Sequence, residues 1–223
     1  MPADTRRYGA NMELPSRHVV LPAAIATTWL TLASAVFADT PSDTPDASPA
    51  TRNVSIATRD YTVPQIRLVR EDGRSVSLPE EMNDGRPVVL NFIFTSCSSV
   101  CPLMSQVFAQ FQQKLGADRD KVHLMSISID PEEDTPARLR EYAKKFHAGP
   151  EWQHYTGTAE ASLTAQKAFG VYWGDKMSHA VVTLLRAAPG QPWRRIDGFL
   201  TPDALLAEYH RLVGTPRGSV ASR

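Results

Sequence analysis

Residues 88–102, Val-Val-Leu-Asn-Phe-Ile-Phe-Thr-Ser-Cys-Ser-Ser-Val-Cys-Pro, constrain this chain more than any other stretch. An apolar run from Val88 to Phe94 ends in a turn of small polar residues holding the only two cysteines, Cys97 and Cys101. Pro102 follows, and a helical pattern opens behind it. A short apolar run closed by a polar turn predicts a buried strand. A strand that hands two thiols to the start of a helix fixes their position in the core. The helix start offers unpaired backbone N–H groups and a partial positive charge, and both favour thiolate over thiol. The thiolate attacks disulfides and binds metals, so the stretch points to redox or metal chemistry.

At 223 residues the chain allows one domain with appendages. An apolar content of 42% and a charged content of 22% are ordinary for a globular protein. Zero net charge without clustered Lys or Arg speaks against a nucleic-acid partner. Residues 1–38 are expected to be a signal peptide or a membrane anchor. Arg6, Arg7 and Arg17 lead into an uncharged stretch from Val19 to Ala38, which ends in small residues suited to cleavage after Ala35 or Ala38. About 20 uncharged residues just span a bilayer, which is the anchor alternative. Pro22 and several Thr and Ser residues weaken that hydrophobicity. Either reading exports the protein, to the periplasm or the outer face of an inner membrane. Residues 39–58 are rich in Pro, Ser, Thr and Asp and read as a flexible linker. The tail, residues 215–223, reads as disordered.

Export changes what two cysteines mean. In an oxidising compartment an isolated pair is either a structural or a working disulfide. Cysteines separated by three residues close a very small loop, so the gain in chain entropy is modest. The spacing favours a working pair.

Between residues 59 and 214 the pattern is regular. Tyr61 to Val69 and Ser75 to Leu78 predict an N-terminal β-hairpin turning at Asp72-Gly73. After the central strand, Leu103, Met104, Val107, Phe108, Phe111 and Leu115 lie on one helix face that ends at Gly116. A strand is expected over 122–129. Thr135-Pro136 starts a helix carrying Leu139, Tyr142, Ala143 and Phe146, and a weaker helix covers about 159–169. Strands at 180–185 and 193–200 and a final helix from Thr201-Pro202 to Gly214 complete the order. Strand–helix–strand units followed by an antiparallel pair and a closing helix predict an α/β fold, a mixed sheet with helices on both faces. With the cysteines at the end of its first long strand, this is the thioredoxin-like arrangement.

The spacing of disulfide oxidoreductases is Cys-x-x-Cys; here the gap is one residue wider. In a forming helical turn the wider gap places both sulfurs on one side. Two such sulfurs either bond to each other or chelate one soft ion, Cu(I) before zinc. Two thiolates satisfy linear Cu(I), and an added nitrogen gives a trigonal site that also holds Cu(II). Among the histidines, His147, His154 and His210 are expected to be solvated. His18 lies in the export segment, and His123 is expected to face a helix or water from a strand. His179 stands just before the strand 180–185, where a thioredoxin-type fold turns the entering loop towards the cysteines. Met177, two residues earlier, is expected to be packing.

Asn91 to Pro102, the segment Ser126-Ile127-Ser128-Ile129-Asp130-Pro131-Glu132-Glu133-Asp134-Thr135-Pro136, and His179 before a strand together resemble the Sco/SenC family. The resemblance spans about residues 58–214. It implies a thioredoxin-fold copper protein that helps to metallate the dinuclear copper site of cytochrome c oxidase, in its subunit II. Position by position, it implies Cys97, Cys101 and His179 as the ligands of one copper ion, Cu(I) or Cu(II), with Asp130 in an acidic segment near the site. Asp134 reads as a turn residue. The chain departs from the family pattern at Ser98, where proline is common, at Ser178, where an acidic residue is common, and at the turn Ala187-Ala188-Pro189-Gly190.

Two functions therefore compete. A metallochaperone holds one copper ion on Cys97, Cys101 and His179 and passes it to a partner. A thiol–disulfide oxidoreductase uses Cys97 and Cys101 as a redox-active pair and needs no histidine. A peroxiredoxin-type peroxidase is disfavoured because Phe94 stands where its motif needs proline, and a closed zinc site needs a fourth ligand.

Overall fold

A computed structural model describes residues 54–214. The expected signal peptide or anchor, most of the expected linker and the expected disordered tail lie outside the described residues. One eight-stranded mixed sheet runs through the domain, with strand order β1-β8-β7-β4-β5-β6-β2-β3. Its strands are β1 (Ser55–Arg59), β2 (Arg67–Arg70), β3 (Ser75–Ser77), β4 (Val88–Ile93), β5 (His123–Ser128), β6 (Trp152–Thr156), β7 (Val182–Arg186) and β8 (Trp193–Asp197). The helices are α1 (Leu78–Met82), α2 (Val100–Leu115), α3 (Pro136–Lys145), α4 (Ala159–Ala168) and α5 (Pro202–Gly214). This is the thioredoxin-like arrangement that the element order predicts.

The central strand explains the layering. Every residue of β4 is buried because both faces of the sheet are covered. Alternation sends Val89 and Ile93 into a core with Phe108, Phe111, Leu139 and Leu205, under α2, α3 and α5. Val88, Leu90 and Phe92 point the other way, to Leu78, Met82, Ala165, Phe169 and Trp193, against α1 and α4. β4 pairs in parallel with β5, and β5 with β6, while β7 runs antiparallel to β4. The cysteine turn at the end of β4 and the start of β7 therefore lie at the same end of the sheet.

Three elements differ from the sequence reading: β1, β6 and the helix α1, which takes over at Leu78 where the second hairpin strand was expected to run. Strand β1 lies almost wholly within the stretch assigned to the linker, so the ordered domain starts before residue 59. Backbone pairing from Ser55–Asp197 to Arg59–Trp193 holds it to β8, and that pairing leaves little side-chain signal. The hairpin β2–β3 turns at Asp72-Gly73 as expected, with Gly73 at φ +89°. As an extension it lengthens the main sheet at its edge, because β2 pairs with β6. Strand β6 itself falls where a polar segment with a solvated His154 was expected. Its Trp152, His154, Tyr155 and Thr156 are all buried. Buried polar side chains here disguise a strand as a loop. Among the described residues no helix is long and apolar enough to cross a membrane.

Candidate metal centre

The site begins with the start of α2. Ser99 is its N-cap residue but gives no side-chain cap. The sulfur of Cys97 takes over, accepting the backbone N–H of Cys101 at 3.4 Å. A helix-start donor aimed at sulfur is the device that favours thiolate. The Cys97 N–H donates to the Phe94 carbonyl at 3.2 Å, which fixes the turn as the chain leaves β4. Cys101 lies in the first helical turn and is buried against the core. Both cysteines are free thiols.

The two thiols differ in acidity. Burial disfavours the Cys97 thiolate, but the N–H groups of Cys101 and Ser99, with the Cys101 and Ser99 side chains, outweigh it. The Cys97 thiol is held below its usual value. Burial drives the Cys101 thiol well above its usual value, and neighbouring Cys97 adds to the rise.

His179 leaves a 3-10 turn, Lys176–Ser178, just before β7. Its Nε2 stands 3.7 Å from the sulfur of Cys101. The imidazole ring meets Phe94 edge-on, with centroids 5.5 Å apart and planes at 74°. Burial lowers the pKa of His179, partly offset by the Lys176 backbone, so the ring is neutral near pH 7 and suited to a metal. The structure thus brings Cys97, Cys101 and His179 to one end of β4. Among the described residues no three His, Cys, Asp or Glu side chains stand close enough together to hold a metal ion, so His179 meets Cys101 without a complete three-ligand set around one point. A soft, low-coordinate ion suits two thiols and one imidazole.

Asp130 lies beside this trio and accepts an ion pair from Lys176 Nζ at 2.7 Å. With His179, Lys176, Glu132, Tyr172 and Trp173 it lines a cleft of about 410 Å³. Asp134 is more than a turn residue. It is fully buried and accepts the Thr95 N–H at 3.1 Å, the Thr95 hydroxyl, and the Ser128 hydroxyl at 2.6 Å. A buried carboxylate with these donors ties the cysteine turn to the end of β5. The Asp-Pro-x-x-Asp spacing hinted at it, since a turn bonds Asp134 N–H to the Asp130 carbonyl at 2.9 Å and folds both acids back to the strand.

The remaining histidines divide. His147 and His210 are exposed, as expected. His123 is buried and faces a helix, one of the two expected settings: its ring meets the carbonyl of Glu81 in α1 at 3.1 Å and the Tyr155 hydroxyl at 3.0 Å. His154 is fully buried rather than solvated. Met177 is not packed either, being 68% exposed at the rim of the site.

The sequence pattern of the SCO1/SenC family matches residues 55–214. A relative described as "SCO1 protein homolog" from Bacillus subtilis is 32% identical over 105 residues, 47% of this chain and 53% of that protein. The chain spans about half the length of the first curated relatives it matches, or less. The structure of Arabidopsis thaliana ScoI with copper bound is 25% identical, covering 67% of this chain and 96% of that one, at a TM-score of 0.58. BsSco, described as a member of the Sco family of cytochrome c oxidase assembly proteins with a disulfide switch, matches at a TM-score of 0.59 and 25% identity, over 71% of this chain and 98% of that one. The match across the whole folded domain establishes that this chain belongs to the SCO1/SenC family.

Proposed function

We propose that this protein is an exported copper metallochaperone, holding one copper ion on Cys97, Cys101 and His179 and delivering it to a partner. The observation that carries this reading is the 3.7 Å approach of His179 Nε2 to the Cys101 sulfur, at the helix start shared with Cys97. The family membership and the copper-bound ScoI neighbour support copper as the cargo. Cu(I) arriving at the Cys97 thiolate displaces the proton of Cys101, since metal binding requires the deprotonated thiol. The neutral imidazole completes a trigonal set. An open site of soft ligands suits stepwise exchange, in which each bond to the protein is replaced by one to the recipient. The recipient proposed is subunit II of cytochrome c oxidase, which fits the oxidase-assembly description of BsSco. The place of work proposed is the periplasm or the outer face of the inner membrane, reached through residues 1–38.

Anaerobic Cu(I) titration of the reduced protein tests this reading, with saturation expected near one equivalent. A His179→Ala variant is expected to lose the thiolate-to-Cu(II) charge-transfer band. An unchanged band in that variant contradicts the ligand set.

The unequal acidity of the two thiols favours a second activity on the same residues. The Cys97 thiolate attacks a partner disulfide, forming a mixed disulfide and releasing one partner thiol. Cys101 then gives up its proton and attacks the Cys97 sulfur, releasing the second partner thiol and leaving a Cys97–Cys101 disulfide. Reduction of a partner disulfide by metal-free protein, unimpaired by His179→Ala, would identify this activity as independent of copper.

A further inference from the structure

We propose that Lys176 and Asp130 form a clamp that sets the position of His179 over Cys101, and that opening the clamp frees the histidine for metal exchange. This deepens the copper reading above and rests on it.

Residues 172–178 are all exposed, with Tyr172, Trp173 and Met177 turned outward. Such a segment has little apolar contact to hold it down. Internally it is stiff. Asp175 accepts the N–H of Met177 through its side chain at 3.0 Å and that of Ser178 through its carbonyl at 3.0 Å. The N–H of His179 donates to the Lys176 carbonyl at 3.3 Å. The backbones of Lys176 and His179 therefore move together.

Among the described residues, the ion pair tying this segment to the sheet is Lys176–Asp130, at 2.7 Å. The Lys176 ammonium also lies 5.9 Å from the Phe94 ring centroid, and Phe94 is the ring that His179 meets edge-on. One phenyl ring thus touches both the clamp and the histidine it positions.

The anchor is continuous with the cysteine turn. Asp130 N–H donates to the Ser128 hydroxyl at 3.0 Å, and that hydroxyl donates to Asp134 at 2.6 Å. Asp134 in turn holds Thr95, two residues before Cys97. A chain of polar contacts thus runs from Thr95 through Asp134, Ser128 and Asp130 to Lys176. It sets the histidine segment in register with the cysteine turn.

The clamp is built to open. Lys176 is 43% exposed while Asp130 is 10% exposed, so the cation is reachable by an incoming acidic partner. A pair this exposed shifts an equilibrium by no more than about fivefold. That is enough to bias His179 without locking it. Lys176 is a positioning residue here and needs no contact with the metal.

The test uses the reduced full chain with Lys176→Ala, Asp130→Asn and Lys176→Arg. In the metal-free protein, NMR of the His179 ring and amide exchange over 176–180 report the position of the segment. Lys176→Ala and Asp130→Asn are expected to move the His179 resonances and speed exchange by up to about fivefold, and Lys176→Arg to restore both. With copper loaded, the first two variants are expected to release it to a chelator about two- to fivefold faster. Unchanged His179 resonances and release rates in both variants overturn the clamp. If wild-type protein binds no copper the metallochaperone reading fails, and the metal-free resonances still decide the clamp.

Discussion

Two cysteines four positions apart in one turn of chain occupy opposite chemical environments. Cys97 caps a helix start through its sulfur, and Cys101 is sunk against the core. The first thiol ionises more easily than usual and the second far less easily. Limited alkylation with iodoacetamide near pH 8 is therefore expected to modify Cys97 well before Cys101, as peptide mapping by mass spectrometry would read. Equal labelling would contradict the assigned asymmetry. Asp134 carries the other residue-scale prediction. Removing its carboxylate in Asp134→Ala leaves the Thr95 and Ser128 donors without their acceptor, and this is expected to cost about 2–4 kcal/mol by urea unfolding. A loss below about 0.5 kcal/mol would contradict its anchoring role. The cysteine pair and His179 were legible in the sequence, because motif spacing and strand order bring them together. The Lys176–Asp130 pair was not, because a lysine in a polar loop belongs to no motif that names its partner.

Strand β6 shows where element reading fails. Its sequence, Trp-Gln-His-Tyr-Thr, shows no alternation of apolar and polar residues, yet the sheet buries nearly all of it. Neither ring nitrogen of His154 has a hydrogen-bond partner among the described residues, and its ring lies 5.1 Å from that of Trp152. Burial lowers the His154 pKa from 6.5 to about 3. The unfolded chain therefore binds a proton between those values that the folded chain refuses. Stability from this residue is complete above about pH 6.5 and falls by about 1.4 kcal/mol per unit as pH drops towards 3. His154→Phe is expected to remove that dependence, so variant and wild-type stabilities from urea unfolding should diverge as pH falls from 7 to 4. Parallel curves would contradict the buried neutral imidazole. Helices were easier to read than this strand: Thr135 caps α3 by accepting the Arg138 N–H, and Pro136 opens it, as the sequence indicates.

At the scale of the molecule, the sheet gathers groups from distant parts of the chain at one end. The parallel pairing of β4 with β5 sets the cysteine turn beside Asp130 and Asp134, and the antiparallel β7 returns His179 to it. The result is a buried pair of thiols with a half-buried imidazole beside Cys101, which the copper reading requires to close onto one ion. X-ray absorption at the copper edge, on the reduced full chain carrying one equivalent of Cu(I), tests this account most directly. The predicted shell is two sulfurs and one nitrogen per copper, with the nitrogen lost in His179→Ala. A sulfur-only shell in the wild type, unchanged by that substitution, would contradict it.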